Sequence, residues 1–234
     1  MAYKVISMDE SGKASYEHLS KTFILSGVLI LEKHRLKLFN RIKKLKIKYF
    51  ENEEIVFHSR DMSRKKGPFS VLRNKKIEIA FWAEFLSIIN DDGMSYIFII
   101  TDKTKAKKLG WAPKTILKKS YLRMLELFGI NLSKDLSKGK IIAESDPSQD
   151  LYLIQAHNIH QSQNSKYRGL VTSLSLVSKM NQDPEIQIAD ALAPIAGMIF
   201  TNSKTKNRVE TNKMKLIQRK LLNQANPSYM ETLV

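Results

Sequence analysis

The chain has 234 residues, with 39 Lys and Arg against 23 Asp and Glu, a formal net charge of +16 and no cysteine. That length supports one full core or two small ones, and the missing thiols exclude disulfides, thiolate zinc sites and cysteine nucleophiles. The charge favours a polyanionic partner, nucleic acid or an anionic surface, although a merely solvated basic surface is the plain alternative.

No repeat or low-complexity tract interrupts the chain. The expected organisation is therefore one domain over 1–202 followed by a basic C-terminal extension over 203–234. Met1-Ala2-Tyr3-Lys4 leads straight into a strand without a charged-then-apolar leader, so the expectation is a cytoplasmic protein. The longest apolar stretch, Ala189 to Phe200, contains Asp190 and Pro194 and is too short for a bilayer, so no membrane is expected as partner.

In chain order, residues 3–9 and 22–30 read as a hairpin whose turn chemistry lies in Glu10-Ser11-Gly12-Lys13-Ala14-Ser15. A helix is predicted over about 32–49, with Leu38, Ile42, Leu45 and Tyr49 as its core face. Lys33, Lys37, Arg41, Lys44 and Lys48 form a second stripe, suited to a phosphate backbone or simply to water. Ile55-Val56-Phe57-His58 reads as a short strand, followed by the basic loop Arg64-Lys65-Lys66 and a helix over about 69–90, closed by Asp91-Asp92-Gly93. Residues 95–101 read as a buried strand, and Pro113 opens a helix lined by Leu117, Tyr121, Met124 and Phe128. A strand at 140–144, a helix over about 147–160, a strand over about 169–177 and a helix from Ile186 onward complete the order. After Phe200 the chain turns polar and basic, from Lys204 to Lys220. Helices alternating with strands behind an initial hairpin imply a mixed α/β sheet covered on both faces.

The chemistry lies in acidic residues at predicted strand ends. Asp9, in Asp9-Glu10-Ser11-Gly12, closes the first strand; Glu144, in Glu144-Ser145-Asp146, closes the strand at 140–144. Strand-end carboxylates suit a hard divalent cation, whereas a solvated acidic turn is the bland reading of each alone. Asp146 precedes Pro147 and reads as the cap of the next helix, leaving Glu144 as the ligand candidate. Asp190 interrupts an otherwise apolar helix, where a lone carboxylate is costly unless paired; Gln187 lies three residues earlier on the same face. His58 and Asp61, in Phe57-His58-Ser59-Arg60-Asp61, are further candidates, with a satisfied structural histidine as the alternative. His157 and His160 read as helix surface.

Taken together, Asp9-Glu10-Ser11-Gly12, Glu144-Ser145 and Gln187-Ile188-Ala189-Asp190 resemble a widespread microbial and phage domain-of-unknown-function family, whose members begin with DESG and close with QxAD. That family is placed in the ribonuclease H-like superfamily, with RuvC-type resolvases, transposases and integrases. The resemblance spans about residues 3–200. It implies a ribonuclease H-like mixed sheet flanked by helices on both faces, with metal-binding carboxylates at Asp9, Glu144 and Asp190. It also implies a further acidic ligand near the first two, for which Asp61, or His58 beside it, is the best match. The basic helix over 32–49 departs from the superfamily pattern, which usually continues directly to a third hairpin strand.

The expected activity is a nuclease acting on DNA or RNA with two Mg²⁺ or Mn²⁺ ions about 4 Å apart, bridged by Asp9 and held by Glu144 and Asp190. Glu10, His58, Asp61, Asp146 and Gln187 are possible additional site residues. Lys37, Arg41, Lys44, Lys48, Arg64, Lys65, Lys66 and the tail would hold the nucleic acid. The rivals are a nucleic-acid-binding module without chemistry and a metal-dependent nucleotide hydrolase.

Overall fold

A computed structural model describes residues 2–90, 93–178, 180–203 and 229–234. The strands are β1 (Tyr3–Ser11), β2 (Thr22–Leu31), β3 (Met94–Asp102), β4 (Lys138–Glu144), β5 (Val171–Val177) and β6 (Tyr229–Leu233). They form one sheet in the order β5-β4-β1-β2-β3-β6. β1, β2 and β3 run antiparallel in sequence, whereas β4 is parallel to β1 and β5 to β4. The architecture is the mixed α/β sheet expected, consistent with a ribonuclease H-like fold.

Both faces of the central strands are covered, which is why they read as nearly continuous apolar runs. On one face, Val5, Ile24, Val28, Tyr96, Phe98 and Ile100 pack under α1 (Arg35–Phe50), α3 (Lys75–Ile89) and α8 (Pro184–Ser203). On the other, Ile6, Met8, Phe23, Leu25, Ile97 and Ile99 pack under α5 (Pro113–Lys134), α6 (Asp150–Gln163) and α7 (Ser165–Leu170). The predicted core faces hold: Leu38, Ile42 and Leu45 of α1 are buried, as are Leu117, Tyr121, Met124 and Phe128 of α5.

Several local expectations are corrected. Residues 55–58 form no strand; they run extended into a short helix, α2 (Ser59–Arg64). The helix expected over 69–90 divides into a 3₁₀ segment (Gly67–Arg73) and α3, because Asn74 caps a fresh start by accepting from the Lys76 amide at 3.0 Å. A short helix, α4 (Lys103–Lys108), follows β3 directly, capped by Asp102, and was not anticipated. Nor was β6, which lies within the segment read as an extension and pairs in parallel with β3. The tail cations from Lys204 to Lys220, and Asp91 and Asp92, lie outside the described residues.

Gly139, near the start of β4, is required by close approach. A Cβ there would stand 2.7 Å from the Lys4 carbonyl oxygen and 2.8 Å from Phe128 Cζ. The carbonyl belongs to the paired neighbouring strand and has little room to give. Gly139→Ala should therefore cost about 2–3 kcal/mol, read as a melting temperature lower by several degrees.

Candidate metal centre

Strand alternation sorts the acidic residues. Val5 lies on the α8 face and Ile6 and Met8 on the other, so Asp9 points to the α8 side and Glu10 away from it. On β4, Ile142 and Glu144 share the α8 side by the same count. Met8 is in register with Ala143, which brings Asp9 and Glu144 to the same end of neighbouring parallel strands. α8 packs across β1 and β2 on that face and carries Asp190.

Asp9 is 7% exposed. Its carboxyl is held well above the ordinary aspartate range, first by burial and then by the charges of Asp190, Glu10 and Glu144, with the Glu10 amide acting against them. Carboxylates from the other two motifs thus act on Asp9. Ser26 is the cross-strand partner of Asp9, and the hydroxyls of Ser7 and Ser26 are buried with no hydrogen-bond partner among the described residues.

Asp190 is gripped by the start of α2. Its Oδ2 accepts the Ser59 amide at 3.0 Å, its Oδ1 accepts the Ser59 hydroxyl at 2.6 Å, and His58 Nδ1 lies 3.5 Å from Oδ2. One turn earlier, Gln187 Oε1 accepts the Phe57 amide at 3.0 Å, while its Nε2 is buried with no partner among the described residues. The 55–58 segment thus joins no sheet, and side chains of α8 take the amides of Phe57 within it and of Ser59 just after it. Pro194 sits four residues after Asp190 within α8, so the Asp190 carbonyl lacks its usual helical donor. Sequence reasoning missed Ser59; its neighbour His58 was the only local signal.

The other candidates fall elsewhere. Glu10 faces α6, where it accepts Gln149 Nε2 at 2.6 Å. Burial, joined by Glu10, Asp146 and Asp150, pushes the Tyr121 hydroxyl up. Asp146 is not the cap expected: α6 begins at Asp150, and Asp146 instead closes a turn by accepting the Ser148 amide and hydroxyl and Gln149 Nε2. Asp61 lies in the first turn of α2 with no hydrogen bond to the cluster among the described residues. His157 is buried, not surface: its Nδ1 lies 3.0 Å from the Tyr167 hydroxyl, and burial lowers its pKa.

The expected cation stripe is partly spent on ion pairs and helix contacts. Arg41 donates to the Ser87 carbonyl at 3.0 Å and Lys48 pairs with Glu84, both tying α1 to α3. Lys65 lies 2.8 Å from the buried Glu78. Lys44, Arg64 and Lys66 remain exposed.

As the side chains lie, no three His, Asp or Glu among the described residues are gathered to hold an ion. The grip of Ser59 on both Asp190 oxygens gives a geometric reason. The donor set is nonetheless all oxygen, with like charges crowded around one buried carboxylate and unsatisfied hydroxyls beside it, which suits a hard divalent cation. No protein-family model matches the chain, and no curated protein matches it. Among the described residues no helix is long and apolar enough to cross a membrane.

Proposed function

We propose that the chain is a Mg²⁺- or Mn²⁺-dependent phosphodiester hydrolase acting on nucleic acid, with Asp9, Glu144 and Asp190 as the metal-holding carboxylates. The observation that carries this reading is the buried Asp9 carboxyl, which Asp190, Glu10 and Glu144 jointly destabilise as an anion. Such crowding is unfavourable for a structural site and is relieved by a cation. A bound divalent ion would supply an activated water and charge neutralisation at the scissile phosphate. The chain's own residues set the stage: β1 and β4 bring Asp9 and Glu144 to one end of the sheet, and Ser59 with His58 holds Asp190 on α8, the helix that packs across that face. To hold such an ion, Asp190 would have to give up its hydrogen bonds from Ser59.

The second reading, a nucleic-acid-binding module without chemistry, is favoured by that same grip on Asp190. One experiment separates the two. Single-stranded, duplex and branched DNA, and RNA, are incubated with Mg²⁺ or Mn²⁺, using wild type, Asp190→Asn and an EDTA control. Cleavage by wild type alone, abolished by EDTA, is the expected result. No cleavage together with undiminished nucleic-acid binding in both proteins would overturn the enzyme reading in favour of the module.

A further inference from the structure

A second dense run of positive charge lies outside the α1 stripe and the 64–66 loop. Between Lys103 and Lys119 there is no Asp or Glu, and Lys105, Lys107, Lys108, Lys114, Lys118 and Lys119 are all exposed. None of these six has an ion-pair partner among the described residues, in contrast to Lys48 and Lys65. They surround two half-buried aromatic rings. Lys119 Nζ stands 5.0 Å from the Trp111 ring centroid and Lys107 Nζ 5.8 Å from that of Tyr16, while the Tyr16 hydroxyl donates to the Trp111 carbonyl.

The register puts this surface at the acidic end of the sheet. Thr22 pairs with Asp102 and Ser11 with Ile24, so β3 ends, and α4 begins, at the end where β1 delivers Asp9. Along β2, Thr22 lies four residues from Ser26, the partner of Asp9, a distance of about 13 Å. The buried Lys103 fastens the two regions together. Its Nζ donates to the carbonyls of Lys13 at 3.0 Å, Ser15 at 2.7 Å and His18 at 3.3 Å, pinning the β1–β2 loop against α4.

We infer that the exposed lysines of α4 and the first half of α5, with Trp111 and Tyr16 among them, form the nucleic-acid-binding surface that feeds the Asp9 end of the sheet. This rests on the nucleic-acid reading proposed above and replaces the α1 stripe as its principal contact. Unpaired lysines at this density attract a chain of phosphates, because each neutralised phosphate releases counterions. An anionic membrane fits less well. Of the apolar residues of this segment, Ala106, Ile116 and Leu117 are buried in the core, and Leu109 is the one large aliphatic side chain exposed, which is less than the continuous apolar face that membrane insertion needs.

The test is binding of fluorescein-labelled single-stranded DNA and RNA in EDTA, across a salt series, so that failure of the metal site cannot obscure it. The variants are K105E/K107E/K108E, its neutral counterpart K105Q/K107Q/K108Q, and K33E/K37E/K44E on α1, each checked by circular dichroism. Wild type is also run against vesicles of phosphatidylserine and phosphatidylcholine. Trp111 fluorescence, read in a Trp82→Phe background, reports contact with the strand. The α4 reversal should weaken binding roughly tenfold or more and reduce the slope of log affinity against log salt by about 2, with the glutamine variant between it and wild type. The α1 variant should bind like wild type, and Trp111 emission should change on binding. Equal loss in both lysine sets, loss confined to α1, or binding to vesicles but not to oligonucleotide would overturn the assignment. The metal reading fails separately, through absence of cleavage by a protein that still binds.

Discussion

Asp9→Asn should abolish metal-dependent cleavage and, at neutral pH, raise the melting temperature of the metal-free protein. The two effects share one cause. Burial and three neighbouring carboxylates hold the Asp9 carboxyl well above its ordinary range, so the folded state pays to ionise it whereas the unfolded chain does not. The stability Asp9 contributes is fully present below the ordinary aspartate pKa, and it is lost as the pH rises through the elevated folded value. The variant and wild type should therefore melt together below about pH 4, and diverge progressively towards neutrality. Each kcal/mol relieved is worth about 2–4 °C in a chain of this size. Calorimetry across pH, with and without Mn²⁺, reads both halves. Mn²⁺ should raise the wild-type melting temperature and leave the variant unmoved. A variant less stable than wild type at neutral pH in EDTA would show that Asp9 is satisfied within the apo fold, and the crowding argument would fall.

Arg35→Ala carries the largest expected loss of stability. Arg35 Nε donates to Glu185 Oε1 at 2.9 Å and a terminal guanidinium nitrogen donates to Asp183 Oδ1 at 2.9 Å, while the Glu185 side chain is fully buried. Burial raises the Glu185 carboxyl and Arg35 acts against that rise. Removing Arg35 leaves an uncompensated buried carboxylate at the start of α8, at a cost of about 3–5 kcal/mol. That corresponds to roughly 10 °C in melting temperature. The sign with pH follows from the raised pKa. The cost of an ionised Glu185 vanishes below the ordinary glutamate range and grows as the pH rises, so the deficit of the variant should shrink under acid conditions. Glu185→Gln in the Arg35→Ala background should recover most of the loss at neutral pH. A deficit that is independent of pH, with no rescue by glutamine, would show that Arg35 acts through packing alone. Because Glu185 lies a little over one turn before Asp190, the same variant should also weaken metal binding before it unfolds the protein.

These expectations rest on features that were unequally visible in the sequence. Glu144 and Asp190 were legible because period-2 and period-3.6 patterns reveal where a strand ends and which helix turn holds an isolated carboxylate. Asp9, expected to close β1, instead lies two residues inside it, because pairing with β2 carries the strand on to Ser11. The sheet's mixed character followed from the hairpin and the later alternation of strands with helices. Other features depended on long-range pairing. The 55–58 run has the apolar β-branched look of a strand, yet the amides of Phe57 and of Ser59 just after it donate to side chains of Gln187 and Asp190, 130 and 131 residues away. β6 was hidden because its five residues gain a neighbour only from the edge of β3.

The charged residues mark the same division. Sequence fixes that a helix face carries Arg41 and Lys48, or that a loop carries Lys65, because spacing alone sets which residues share a face. Only the tertiary structure decides that Ser87, Glu84 and Glu78 meet those cations, and that the lysines after β3 find no carboxylate among the described residues. The register of β2 with β3 then brings those lysines to the end of the sheet where Asp9 lies. Local periodicity dictates the direction in which a side chain points; what it meets there depends on elements brought in from far along the chain.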